Sequence, residues 1–82
     1  MNNNKKILIT EFINQNSLEN LNKKFDVRYD EKLCEKEKEI IKIIKDYDGL
    51  IVRNKTQVNS DILKNALKLK FIGRLGVGLD NI

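Results

Sequence analysis

Gly49-Leu50-Ile51-Val52, followed at once by Arg53-Asn54-Lys55-Thr56, is the stretch on which the fold turns. Three consecutive aliphatics after a glycine, with no polar residue among them, mark a strand buried on both faces. A polar tetrapeptide then leaves it abruptly. On its N-terminal side, Glu31 to Tyr47 sets Leu33, Ile40, Ile44 and Tyr47 on one helical stripe, widened by Ile41 and Ile43. The spacing predicts a single long helix, with Glu35 pairing with Lys38 and Glu39 with Lys42 on its wet side. Before it, Phe25 to Tyr29 (FDVRY) alternates apolar and polar residues as an edge strand does. Leu18 and Leu21 predict a helix between Glu11 and Lys24, and Lys5 to Thr10 (KKILIT) repeats the buried-strand signature. On the C-terminal side, Asn59 or Ser60 is placed to cap a helix whose apolar face is Ile62, Leu63, Ala66 and Leu67. Lys70 to Leu75 (KFIGRL) reads as the last strand, and Gly76 to Ile82 closes the chain.

Strands and helices therefore alternate along the whole length, which argues for an α/β fold with a parallel sheet covered by helices on both faces. Right-handed crossovers leave few ways to lay out such a sheet. The expected arrangement is a flavodoxin-like, doubly wound sheet with strand order 2-1-3-4.

Composition narrows the class further. Eighty-two residues make one small domain, which buries roughly 60% of the surface its unfolded chain exposes. With 40% hydrophobic residues the chain is not a disordered one. The formal charge of +4 comes from thirteen lysines and three arginines against twelve acids. These lysines are scattered among acids and asparagines, whereas a nucleic-acid footprint needs a basic stripe with aromatics beside it. Solvated lysines are the simpler reading, and no nucleic-acid partner is expected. A lone Cys34 allows no internal disulfide and no metal-ligand spacing. The apolar run Ile7-Leu8-Ile9 is too short for a signal-peptide core or a membrane span, so a cytoplasmic protein without a membrane partner is expected.

In a doubly wound sheet, functional residues gather beyond the carboxyl ends of the strands. Three segments qualify: Thr10-Glu11, Arg53 to Thr56, and Gly76 to Asn81. Arg53 leaves a buried strand at the mouth of the sheet, where a guanidinium can grip a carboxylate or phosphate with two prongs. It could equally cover the strand end and pair with a neighbouring acid. Gly76-Val77-Gly78 lets the backbone turn tightly and aim amide N–H groups at an anion. As a nucleotide fingerprint the pair is weak, because GxGxxG would need glycine where Asn81 stands. A plain turn held by Asp80 and Asn81 is the alternative. A signalling receiver domain shares the layout, but it needs a phosphate-accepting aspartate where this chain has Arg53.

Two of these segments carry a family resemblance. Gly49 to Arg53 with Thr56, then Leu69 to Ile82 (LKFIGRLGVGLDNI), is similar to the substrate-binding domain of D-3-phosphoglycerate dehydrogenases, in the D-isomer-specific 2-hydroxyacid dehydrogenase family. The resemblance implies that Arg53 contacts an anionic 2-hydroxy or 2-oxo acid. It implies that Leu75, Gly76, Val77 and Gly78 receive the substrate carboxylate. Val77 would approach the nicotinamide end of NAD, and Asn81 would shape the loop. The chain departs from the family at Asn54, where serine is usual, and at Leu75 and Leu79, where alanine or valine is usual. These departures leave the substrate open, and a hydroxypyruvate or glyoxylate reductase is the alternative within the family.

The resemblance also implies what residues 1–82 do not hold. Family members move the hydroxyl proton with a histidine paired to a carboxylate, a role suited to histidine by its pKa. This chain has no histidine. The expectation is a partial substrate-binding domain, cut before its final strand and helix, with the dinucleotide-binding domain absent and no turnover alone. The complete enzyme would be a homo-oligomer acting in serine biosynthesis, and the fragment would self-associate through its exposed last strand. A small basic α/β binding module is the reading from another class.

Overall fold

The computed structural model describes residues 5–74. Its four strands are β1 (Lys6–Ile9), β2 (Asp26–Tyr29), β3 (Gly49–Val52) and β4 (Phe71–Arg74). They form one parallel sheet in the order β2-β1-β3-β4, as the alternation predicted. The register sets Ile7 beside both Val27 and Gly49, and Gly49 in turn beside Phe71. The helices are α1 (Gln15–Lys24), α2 (Glu37–Ile43) and α3 (Ser60–Asn65).

Alternate residues of the central strands feed two apolar layers. Leu8, Leu50 and Val52 pack with Leu33, Ile40, Ile44 and Ile62 on the α2 and α3 side. Ile7, Ile9 and Ile51 pack with Ile13, against Leu18, Leu21 and Phe25 on the α1 side. The unbroken aliphatic runs of β1 and β3 are what a strand needs when both faces are covered. The edge strand β2 keeps its alternation, with Asp26 and Arg28 exposed and Val27 and Tyr29 half-buried.

Two expectations are corrected. The span Glu31 to Tyr47 is not one helix: a 3-10 turn (Glu31–Glu35), α2, and a second 3-10 turn (Ile44–Asp46) follow one another. Lys36 breaks the run with φ −127° and ψ 65°. The cause is tertiary. The Cys34 N–H donates to the Thr10 carbonyl at the end of β1 (2.9 Å), so it does not close a helical turn. The apolar stripe is nevertheless correct, since Leu33, Ile40 and Ile44 are all buried in one cluster. Among the hydrogen bonds of the described residues, neither Glu35–Lys38 nor Glu39–Lys42 is present, and Glu37 accepts from Asn59 Nδ2 instead (3.1 Å). Exposed ion pairs contribute little and are readily exchanged for water. The second correction concerns α3: Asn59 caps it, accepting from the Ile62 N–H (3.1 Å), but only Ile62 is buried in it. Leu63 is 48% exposed and Leu67, beyond its end, 79% exposed. With α3 only six residues long, Ile62 enters the core and half-buried Ala66 at its end packs against it, while Leu63 and Leu67 lie outside.

Among the described residues no helix is long and apolar enough to cross a membrane. Nor does any group of three or more His, Cys, Asp or Glu among them sit where it could hold a metal ion.

Candidate functional site

In this order the connection from β1 leads to one side and the connection from β3 to the other. The chain parts beyond their carboxyl ends, and that parting is where a doubly wound sheet forms its crevice. An open cleft of about 430 Å³ lies there, lined by Glu11, Phe12, Glu31, Lys32, Cys34, Glu35, Arg53, Asn54 and Lys55.

One of its lining residues is a buried carboxylate. Glu11, two residues beyond β1, is only 3% exposed. Its Oε2 accepts the N–H groups of Arg53 (2.9 Å) and Thr56 (2.7 Å), and its Oε1 accepts that of Lys55 (2.9 Å). One side chain from β1 therefore holds the backbone of the loop after β3. Burial opposes ionisation of this carboxyl. The hydrogen bonds from the Thr56 side chain and from the Arg53, Thr56 and Lys55 amides outweigh it and hold Glu11 below the ordinary carboxylate range. Beneath it, the buried hydroxyls of Thr10 and Thr56 meet at 2.8 Å. A carboxylate only accepts, so the Thr56 hydroxyl turned towards Glu11 takes its own hydrogen bond from Thr10.

Arg53 follows the last residue of β3 and is half-buried, with Asn54 and Lys55 exposed beside it. Its backbone is anchored by Glu11, and among the described residues its guanidinium appears in no hydrogen bond. The expectation that it stands at the mouth of the sheet is met. Leu75, Gly76, Val77, Gly78 and Asn81 lie outside the described residues, so the convergence of the glycine loop on Arg53 lies outside them as well. Thr10-Glu11 was one of the three segments at strand ends, yet neither residue was singled out from sequence. The available signal was a carboxylate just past a buried strand, at the point where the order 2-1-3-4 parts the chain. Nothing in the local sequence says that three amides 42 to 45 positions away will face it.

Cys34 lines the same cleft but is poorly suited to nucleophilic work. Burial and the negative charges of Glu11 and Glu35 push its thiol up, and its Sγ donates to the Glu31 carbonyl (3.3 Å). On the β2 side, the Tyr29 hydroxyl donates to Glu31 (2.9 Å) and accepts from the Ile13 N–H (3.5 Å). Burial and the bond to Glu31 raise its pKa. No glycine turn that could cradle the phosphates of a dinucleotide follows β1, β2 or β3. β1 runs into Thr10-Glu11 and β3 into Arg53-Asn54.

Comparison with known proteins agrees with this fold. The sequence pattern described as "D-isomer specific 2-hydroxyacid dehydrogenase, catalytic domain" matches residues 7–82. The chain is 40% identical over 77 residues to a D-3-phosphoglycerate dehydrogenase of Methanocaldococcus jannaschii, covering 94% of this chain and 14% of that protein. A hydroxypyruvate reductase of Thermotoga maritima is 50% identical over 44 residues, 54% of this chain and 14% of that protein. The crystal structure of the PH0520 protein from Pyrococcus horikoshii OT3 superimposes with a TM-score of 0.79 at 32% identity, covering 95% of this chain and 23% of that one. The chain thus spans a small part of the length of the proteins it matches. With its doubly wound sheet and the arginine loop at its crevice, this chain belongs to the D-isomer-specific 2-hydroxyacid dehydrogenase family.

Proposed function

We propose that residues 1–82 are part of the substrate-binding domain of an NAD-dependent D-3-phosphoglycerate dehydrogenase of serine biosynthesis. In this reading Arg53 grips an anionic group of the substrate. The observation that carries it is the Arg53 loop itself, fixed at three backbone positions by Glu11 at the sheet's crevice. A guanidinium on a rigid loop meets an anion with less ordering cost than one on a mobile loop. The likeness to D-3-phosphoglycerate dehydrogenases over nearly the whole chain supports the choice of substrate. Leu75, Gly76, Val77 and Gly78 enter the reading through the family resemblance, as backbone contacts to the substrate carboxylate. Val77 also faces the cofactor in this reading, and Asn81 shapes the loop.

The described residues do not fit NAD, for want of a phosphate-cradling turn, and its binding is assigned to a separate dinucleotide-binding domain. Bound there, NAD supplies the redox chemistry. The contribution of residues 5–74 is to hold and orient an acid. Because the chain has no histidine, the proton-transfer group is assigned elsewhere too. The complete enzyme is proposed to be a cytoplasmic homo-oligomer, and the 82-residue chain alone to be without turnover. A second reading, a hydroxypyruvate reductase, rests on the higher identity over the shorter span.

Titration of the chain with D-3-phosphoglycerate and with hydroxypyruvate, followed by amide chemical shifts, separates these readings. Saturable binding that favours phosphoglycerate and weakens at least tenfold in Arg53→Ala is the expected result. Equal binding by wild type and Arg53→Ala would remove Arg53 from the site.

A further inference from the structure

We propose that Glu11 is a positioning residue for substrate binding, acting solely by presenting the backbone of Arg53, Lys55 and Thr56 so that the Arg53 guanidinium faces the cleft. This rests on the reading of Arg53 as the anion-binding group. Nothing in the anion chemistry itself calls for a carboxylate in this place. A negative charge lining the cleft would by itself repel an acidic substrate. Its oxygens, however, already accept three N–H donors at 2.7–2.9 Å and the Thr56 hydroxyl, and the side chain is almost wholly buried. Its charge is dispersed into the loop backbone.

The geometry demands an ionised carboxylate and not merely a polar side chain. Oε2 receives two N–H groups and Oε1 a third, so both oxygens must be acceptors. Glutamine has the same shape, but its NH2 group is a donor and must stand opposite a backbone N–H at one of the two positions. Glu11→Gln therefore keeps the packing and breaks at least one anchor, freeing the loop at Arg53 or at Lys55. The Thr10 and Thr56 hydroxyls keep their bond to each other in that variant.

The test compares wild type, Glu11→Gln, Arg53→Ala and the double variant in the 82-residue chain, with D-3-phosphoglycerate as the probe. Amide exchange is read alongside binding, because it reports the anchor without any ligand. Expected is faster exchange, by tenfold or more in Glu11→Gln, either at Lys55 or at Arg53 and Thr56 together, with Leu50 and Ile51 unchanged. Binding should weaken at least tenfold in Glu11→Gln and in Arg53→Ala, and the double variant should bind no more weakly than Arg53→Ala. That non-additivity is what positioning predicts and what general destabilisation would not produce. Three results overturn the proposal while leaving Arg53 in its role: unchanged exchange at the three amides, wild-type affinity in Glu11→Gln, or a further loss in the double variant. If wild type and Arg53→Ala bind alike, the anion-binding reading fails first and this proposal falls with it.

Discussion

Glu11 and Asp48 are buried carboxylates at opposite ends of the sheet, and each joins strands through backbone groups. Asp48 lies just before β3, where its Oδ2 accepts the Lys6 N–H (2.9 Å) and its carbonyl accepts the Lys70 N–H (2.6 Å). The Lys6 amide is the main reason its pKa lies below the ordinary value of 3.8, with nearby lysines adding to the effect. Both carboxyls titrate lower in the folded chain than in the unfolded one, where Glu11 returns to 4.5. Their contribution to stability is thus complete above those unfolded values and is lost as pH falls through the folded ones. The midpoint of thermal unfolding should be flat down to about pH 5 and fall steadily below it. Glu11→Gln should flatten that acid limb, and a limb unchanged in the variant would contradict the assignment. Removing the anchor altogether in Glu11→Ala should cost roughly 3 kcal/mol in denaturant unfolding, since buried donors lose a charged acceptor.

At the scale of elements, what decides energetics is which turn of each helix meets the sheet. Ile62 is fully buried from α3, whereas Leu67 is 79% exposed. Ile62→Ala should cost about 3 kcal/mol, and Leu67→Ala should stay within about 0.5 kcal/mol. Urea midpoints for the two variants check the contrast. Strand β3 carries a second constraint. The Phe71 ring from β4 lies directly over Gly49, leaving no room for a Cβ. Gly49→Ala should therefore push that ring outward and cost about 1–3 kcal/mol, with a smaller cost when Phe71 is already alanine. The glycine that opens GLIV was legible as a strand start, but the aromatic ring lying over it was not. That ring is 22 positions away, and only the β3–β4 register brings it alongside. The broken helix over residues 31–46 has the same origin. Its apolar stripe could be read from spacing, and its interruption at Lys36 could not, because the cause is a hydrogen bond to Thr10.

For the molecule as a whole, the β4 margin is the exposed one. Phe71 and Ile72 are 41% and 44% exposed, with Leu63 and Leu67 also exposed. Among the described residues β4 pairs only with β3, so one of its edges offers unpaired N–H and C=O groups. The 82-residue chain is accordingly expected to self-associate at tens of micromolar, as followed by sedimentation velocity. Ile72→Lys with Leu67→Lys should shift it towards monomer, because lysine on an edge strand discourages pairing. A sharp monomer with cooperative unfolding from the wild-type chain would refute the expectation.

Local pattern alone determined the alternation of strands and helices, a helix cap at Asn59 or Ser60, and the exit of Arg53 from a buried strand. Each of these depends on hydrophobic period or on groups within a few residues, so the linear chain already contains the cause. Tertiary structure decided that Glu11 would meet three amides of the β3 loop, that Thr10 would interrupt the second helix, and that the Phe71 ring would lie over Gly49. Those contacts join residues 22 to 45 positions apart. Their partners are chosen by sheet register, which arises only when the whole chain packs.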